Sequence, residues 1–259
     1  MKLGVNIDHI AVLREARKVN SPNPMDALPI CDIAGAEQIT IHLREDRRHI
    51  QDKDVKDIIE HSILPINLEC AIEPSIIDIV CTFKPHRATL VPEKREEVTT
   101  EGGLAVSLEN NRLIEAIKKL QENEIEVSLF IDPTLEATKV SKELGVEWIE
   151  FHTGKFANIW AMLYGNLAKS NHSIKELELD RTTLKNMLDE EIRTLKEVSI
   201  FAKELGLKVA AGHGLNYQNV KEIAKIKEIE ELNIGQSIIA RSIFTGLERA
   251  ILDMKELIK

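Results

Sequence analysis

Eight short apolar runs, each followed by a stretch with helical spacing, constrain this chain more than any other feature. The runs are "KLGVNID" (2–8), "QITIHL" (38–43), "PINLECA" (65–71), "RATLVP" (87–92), "EVSLFI" (126–131), "WIEFHT" (148–153), "KVAAGH" (208–213) and "EELNIG" (230–235). They are short and rich in Ile, Val and Leu, as strands of a buried parallel sheet are. Between them, "DVKDIIEHS", "NRLIEAIKKLQEN" and "TLEATKVSKELG" place apolar residues three and four apart and charges on the opposite face. Gly145 and Gly206 stand where helix C-caps are expected. Eight β-α alternations in 259 residues predict an α/β chain forming one (β/α)8 barrel over residues 1–259. A doubly wound open sheet is the competing architecture. It would more often carry a Gly-rich dinucleotide loop after the first strand, and "NIDHIAVLREAR" has none. One connection is long. Residues 155–189 contain "FANIWAMLYGNLAKS" and "KELELDRTTLKNMLDEEI", and they read as an inserted helical segment that covers the site or forms an interface.

Strand phase locates the chemistry. Successive side chains point to opposite faces, so each run separates into two sets. Leu3, Val5 and Ile7 oppose Asn6 and Asp8; Ile39, Ile41 and Leu43 oppose Thr40, His42 and Arg44. Ile66, Leu68 and Cys70 oppose Asn67 and Glu69; Ile149 and Phe151 oppose Glu150 and His152. The apolar sets should face the helices. The polar sets should converge inside the barrel at its C-terminal mouth, where barrel active sites lie. The seventh run adds His213 at its end. A hydrogen-bonded structural network is the alternative use of such residues.

The chain is acidic overall, with 34 Lys+Arg against 43 Asp+Glu and a formal charge of -9. That balance argues against general nucleic-acid or anionic-membrane binding. Yet "IHLREDRRHI" (41–50) gathers Arg44, Arg47, Arg48 and His49 where a strand ends, and Arg14 and Arg17 follow the first strand. Arginine forks suit phosphate. "GHGLNY" (212–217) and "GQSIIARS" (235–242) bring glycines to strand ends just before helices, where backbone N–H groups can meet an anion. Together these features favour one phosphorylated substrate or two. The polar "PEKREEVTTEGG" (92–103) reads either as a surface loop or as a lid over the mouth.

Other chemistries find less support. There is no G-x-S-x-G, no G-x-x-x-x-G-K-[ST] and no H-x-H on the first strand. No lysine stands on an inward phase near a strand's C-terminal end, which disfavours a Schiff-base aldolase. His42, Glu69, Glu150 and His152 could ligate Zn²⁺ or Mn²⁺, but with no H-x-H on the first strand the expectation is no metal and no cofactor, and acid–base chemistry by Glu and His remains. Cys31, Cys70 and Cys81 have no C-x-x-C spacing and read as reduced thiols, hence a cytoplasmic protein; one bridge plus a free thiol is the alternative. No apolar run approaches the ~18 residues of a membrane span.

Several segments together resemble the pyridoxine 5'-phosphate synthase family: "GVNIDHIAVLREAR", "ITIHLREDRRHI", "INLECA", "LVPEKREEVTTEGG", "VSLFID", "IEFHTG", "GLKVAAGHGLNYQNV" and "ELNIGQSIIARSIFTGL". The resemblance runs in order along nearly the whole chain. It implies a TIM barrel with extra helices, assembled as an octamer built from dimers. It implies condensation of 3-amino-2-oxopropyl phosphate with 1-deoxy-D-xylulose 5-phosphate to pyridoxine 5'-phosphate, phosphate and water, with no metal or redox cofactor. By the same resemblance His42 and Glu69 are general acid/base residues, His213 is the proton donor for phosphate loss, and Glu150 stabilises charged intermediates. Asn6, Arg17, Gly214, Gly235 and Gln236 would hold the aminoketone phosphate; Asp8, His9, Arg44, His49 and Thr99 would hold the deoxyxylulose phosphate. Two departures stand out: Gln236 occupies a place that is often His in the family, and residues 155–189 look longer than in many relatives. A phosphosugar isomerase or lyase, and a phosphate-binding barrel without catalysis, are the other readings.

Overall fold

All eight apolar runs become parallel strands: β1 (Lys2–Asn6), β2 (Gln38–Leu43), β3 (Ile66–Cys70), β4 (Arg87–Leu90), β5 (Glu126–Ile131), β6 (Trp148–His152), β7 (Lys208–Gly212) and β8 (Glu231–Ile234). Each pairs with the next in sequence, and β8 returns to β1, closing a barrel. An open sheet would leave two edges, so the doubly wound alternative is excluded. The structure, a computed structural model, describes residues 1–92 and 102–259.

Among the described residues the helices are α1 (Asp8–Glu15), α2 (Leu28–Ile33), α3 (Asp52–His61), α4 (Pro74–Phe83), α5 (Asn111–Glu122) and α6 (Leu135–Glu143). They continue with α7 (Gly154–Tyr164), α8 (Arg181–Glu204), α9 (Val220–Ala224), α10 (Gln236–Thr245) and α11 (Leu247–Leu257). Gly145 and Gly206, just past α6 and α8, have φ of 78° each, the left-handed geometry that ends a helix at little cost to glycine.

The outward strand faces and the inner helix faces form one apolar ring. Val5, Ile39, Ile41, Ile66, Leu68, Leu129 and Phe151 are fully buried there, as are Val55 and Ile58 of α3, Leu113 and Leu120 of α5, and Leu195 and Ala202 of α8. The inward phase differs: Gln38, Thr40, Asn67, Arg87, Thr89, Ser128, Glu150, Glu231 and Asn233 are all buried inside the barrel. Barrel interiors are usually filled by Val, Ile and Leu. Here polar side chains, most of them bonded to one another, take that place.

Two expectations need correction. Residues 155–189 are helical in large part, but the boundaries are wrong. α7 begins at Gly154 directly after β6, short 3-10 turns follow at Leu167–Lys169 and Lys175–Leu177, and α8 begins at Arg181. Asp180 caps α8, accepting from Thr182 and Thr183 N–H at 2.9 and 3.0 Å. Residue 189 falls inside α8, because Leu184, Leu188, Leu195, Val198 and Ala202 make one uninterrupted buried stripe. The added element is thus α7 with its turns, while α8 is the crossover to β7. The second correction concerns "GHGLNY", which opens no helix. Asn216 Oδ1 accepts from Gln218 and Asn219 N–H at 2.8 and 3.2 Å, holding this stretch in turns until the five-residue α9.

Candidate active site

Register brings the acid–base groups together. His42 and Glu69 are direct neighbours across β2 and β3, in the same phase, and His42 Nδ1 lies 3.9 Å from Glu69 Oε2. Glu150 and His152 rise from β6 opposite Ala210 and Gly212 of β7, whose small size leaves them room. The His152 and His213 rings are 4.9 Å apart, and Phe130 of β5 packs edge-on to His152 at 5.2 Å. These groups border a cavity of about 440 Å³ at the C-terminal mouth. Burial disfavours charge on both carboxyls. Glu69 is held well above the usual carboxylate range by desolvation, then by the charges of Glu150 and Asp8. Glu150 is pushed up to about 7 by desolvation, against the hydrogen bond it accepts from Asn233. Glu150, poised in this way, can both give and take protons near neutrality.

Asp8 and Asn6 are tied to each other. Asn6 Nδ2 donates to Asp8 Oδ2 at 2.8 Å and Asp8 N–H donates to Asn6 Oδ1 at 2.9 Å. Asp8 Oδ1 also accepts from the His42 backbone N–H at 2.9 Å, which joins the end of β1 to the C-terminal end of β2. His9 follows in the first turn of α1, on the cavity rim.

The basic stretch divides in two. Arg44 and His49 are buried and line the cavity. His49 Nδ1 accepts from Ile50 N–H at 2.8 Å, so a neutral ring carries its proton on Nε2. Its carbonyl is held by Arg14 Nη2 at 3.0 Å, while Arg14 makes a forked pair with Asp54 at 2.8 and 2.6 Å. Arg14 therefore anchors the loop. Arg47 bonds the carbonyls of Arg44 and Glu45 and the carboxylate of Asp52; Arg48 bonds Asp46 at 2.7 Å.

Across the mouth lies a glycine-lined edge. A Cβ on Gly235 would sit 2.8 Å from Asn6 Cβ, and one on Gly214, whose φ is +78°, would sit 2.5 Å from Ala157 Cβ. His213 itself has φ of 79°, rare for a side-chain-bearing residue and common where strain is kept for function. Thr153 Oγ1 pins this turn by reaching the Gly212 and His213 carbonyls at 2.7 and 2.6 Å. Gly235 and exposed Gln236 open α10 at the edge of the cavity, and a helix N-terminus is a place suited to an anion.

A model of the family described as "Pyridoxal phosphate biosynthesis protein PdxJ" matches residues 3–259. The chain belongs to the PdxJ family. The pyridoxine 5'-phosphate synthase of Sulfurovum sp. (strain NBC37-1) is 72% identical over 258 residues, covering 100% of both chains. That of Aliarcobacter butzleri (strain RM4018) is 70% identical and covers 100% of this chain and 99% of its own. Residues 155–189 are therefore shared with these relatives. Among solved structures, phosphoribosylanthranilate isomerase from Thermotoga maritima aligns over 100% of this chain and 98% of its own, with TM-score 0.57 and 12% identity. That likeness shows the barrel fold alone.

The structure gathers His42, Glu69, Glu150, His213, Asn6, Asp8, His9, Arg44, His49, Gly214, Gly235 and Gln236 around one cavity. Arg17 does not line it; it is exposed past the end of α1. Thr99 lies outside the described residues. Strand phase placed His152 at the mouth without giving it a role, and sequence reasoning left out Phe130 and Asn233; all three line the cavity. Strand phase could have found Phe130 and Asn233 too, since each shares the inward phase of its run.

Proposed function

We propose that this PdxJ family chain condenses 3-amino-2-oxopropyl phosphate with 1-deoxy-D-xylulose 5-phosphate to give pyridoxine 5'-phosphate, phosphate and water. The observation that carries the reading is the convergence of Glu69 and Glu150, both biased toward the protonated form, with His42 and His213 at one mouth. Imine formation, dehydration and ring closure each move a proton on and off carbon, nitrogen or oxygen. A carboxyl biased toward its protonated form beside an imidazole can serve in both directions. In this scheme His42 and Glu69 exchange those protons. His213, held at a positive φ, donates to the departing phosphate. Glu150 offsets positive charge on imine intermediates.

Arg44 and His49 would hold the deoxyxylulose phosphate from the basic edge, with Asp8 and His9 beside them. The aminoketone phosphate would lie against Gly214, Gly235, Gln236 and the α10 N-terminus, with Asn6 beneath. Gln236 in place of an imidazole is compatible with recognition by backbone N–H groups.

Among the described residues no helix is long and apolar enough to cross a membrane. Free thiols at Cys31, which is buried, and at Cys81 accord with a reducing, cytoplasmic setting. Self-association is part of the proposal. An apolar groove of about 500 Å³ between α1 and α10, with Ile243 70% and Phe244 89% exposed nearby, gives a second copy something to bury. Arg17, exposed on the same α1 end, is then placed to reach a neighbouring copy.

Incubation of the purified protein with both phosphates should release the pyridine product, read by its absorbance and mass. Turnover of either phosphate alone would favour an isomerase or lyase. Folded protein that yields no product from the pair would overturn the reading. Light scattering of Phe244→Asp should show a smaller species than the parent.

A further inference from the structure

Beneath the catalytic mouth runs a chain of buried polar side chains whose donors and acceptors can be assigned one by one. Arg87 can only donate. Its Nη1 lies 2.7 Å from Glu231 Oε1 and its Nη2 3.4 Å from Oε2, while its guanidinium stacks 3.8 Å over Trp148. Glu231 Oε1 also faces Gln38 Nε2 at 3.0 Å. An amide oxygen in that place would meet a carboxylate oxygen, so nitrogen it must be. The other hydrogen of Gln38 Nε2 is directed at Asn233 Oδ1, 3.3 Å away, and Thr40 Oγ1 lies 3.1 Å from the same oxygen. With Oδ1 so engaged, Asn233 turns Nδ2 upward, 2.7 Å from Glu150 Oε2.

Two glycines carry an independent sign of the same arrangement. A Cβ on Gly4 would stand 2.1 Å from Asn233 Oδ1, and one on Gly212 would stand 2.2 Å from Glu150 Oε1. Neither has a left-handed φ, so these strand glycines serve space and not backbone conformation. Both empty positions border the Asn233–Glu150 bond.

We propose that Asn233 is a positioning residue for Glu150, with its amide kept in one orientation by the Arg87–Glu231–Gln38 chain. A flipped amide would set oxygen against oxygen. The held amide instead presents a donor, which favours the charged form of Glu150 against its burial. Other charged or titratable groups act on Glu150 too. Glu231 of β8 and Arg87 of β4 lie below, Glu69 of β3 faces it beside His42, and His152 and His213 stand around the mouth. The Asn233 donor is distinguished by direct contact. The proposal rests on the reading that Glu150 acts ionised in the condensation.

The test is a carboxyl-carbon NMR titration of Glu150, assigned by the signal lost in Glu150→Gln, alongside the pH profile of kcat/KM. In Asn233→Leu the Glu150 titration and the acid limb should both move up by about one pH unit, a tenfold loss of affinity for the charged state. Gln38→Met, which leaves the cavity wall untouched, should move both in the same direction by less. A merely structural role predicts a lower melting temperature with the titration unmoved. Superimposable titrations of parent and Gln38→Met, together with Asn233→Leu where it folds, would overturn the proposal. If the parent itself turns nothing over, the proposed function fails, and the carboxyl titration still decides this inference on its own.

Discussion

Leu68 and Glu69 are adjacent on β3, yet they belong to two different interiors. Leu68 points outward into the apolar ring between strands and helices and is fully buried. Glu69 points inward, where neighbours are polar and burial works against its charge. The ring is held by area removed from water, a force indifferent to direction. The barrel interior is held by hydrogen bonds that must each be matched, because an unmatched polar group there costs more than a matched one contributes. One face supplies stability. The other spends some of it to keep the groups proposed to transfer protons in place.

Glu69→Gln puts this contrast to its hardest test. Turnover should fall by about a thousandfold or more, the order expected when a general acid/base is lost. Stability should move the other way. A carboxyl whose folded pKa lies above its unfolded value binds extra protons when folded, so its contribution declines as pH rises from the unfolded value through the folded one. The neutral amide escapes that decline. Melting temperature of Glu69→Gln should exceed the parent's above neutral pH and converge with it in acid. A mutant less stable at alkaline pH would show that Glu69 is a structural member of the network.

Arg87→Met should be the costliest change to stability. It leaves Glu231 buried without its cation, a loss of about 3–5 kcal/mol by chemical denaturation. Adding Glu231→Gln should recover much of that loss, because the uncompensated charge is then gone. No recovery would mean that Arg87 acts mainly through its packing on Trp148. Leu68→Ala should cost about 2–5 kcal/mol from lost burial and the cavity left behind. Its kcat per folded molecule should stay close to the parent's, and its pH profile should not shift. A shifted profile would mean that the two faces of β3 are mechanically coupled.

The ring was legible in the sequence because it is a period. Alternation of Ile39, Ile41 and Leu43 with Thr40 and His42 reports face without any partner in view. Eight repeats of that pattern leave few topologies open. The mouth was legible for the same reason, since His42, Glu69 and Glu150 are inward residues at strand ends. What stayed hidden depends on pairs. Nothing in "EELNIG" tells that Asn233 meets Glu150, 83 residues earlier in the chain, or that Gly4 is small to admit Asn233. Nor does a short window tell where α8 starts. Its stripe runs through residue 189 without a break, and only the Asp180 cap marks its beginning.

The smallest effect is expected where the sequence looked most suggestive. Arg48 belongs to the basic stretch that pointed to phosphate, yet it bonds Asp46 through Nε at 2.9 Å and Nη2 at 2.7 Å. The Asp46 carboxyl is held below its ordinary range, first by that hydrogen bond. Its side chain is 50% exposed and that of Arg48 30%, so water screens the pair, and exposed pairs are worth about 0–1 kcal/mol. A carboxylate with a depressed pKa gives its stabilisation above the unfolded value and loses it as pH falls through the folded one. Arg48→Ala should therefore lower the melting temperature slightly at neutral pH and not at all in strong acid, with kcat unchanged. Asp46 also lies 3.8 Å from Arg44 Nε, so release from Arg48 would let it compete with the phosphate proposed to bind there. A KM rise of twofold to threefold for one of the two substrates, on the order of 0.5 kcal/mol, is the expected trace of that competition. A rise above tenfold would move Arg48 from the loop's own ion pairs into the phosphate site.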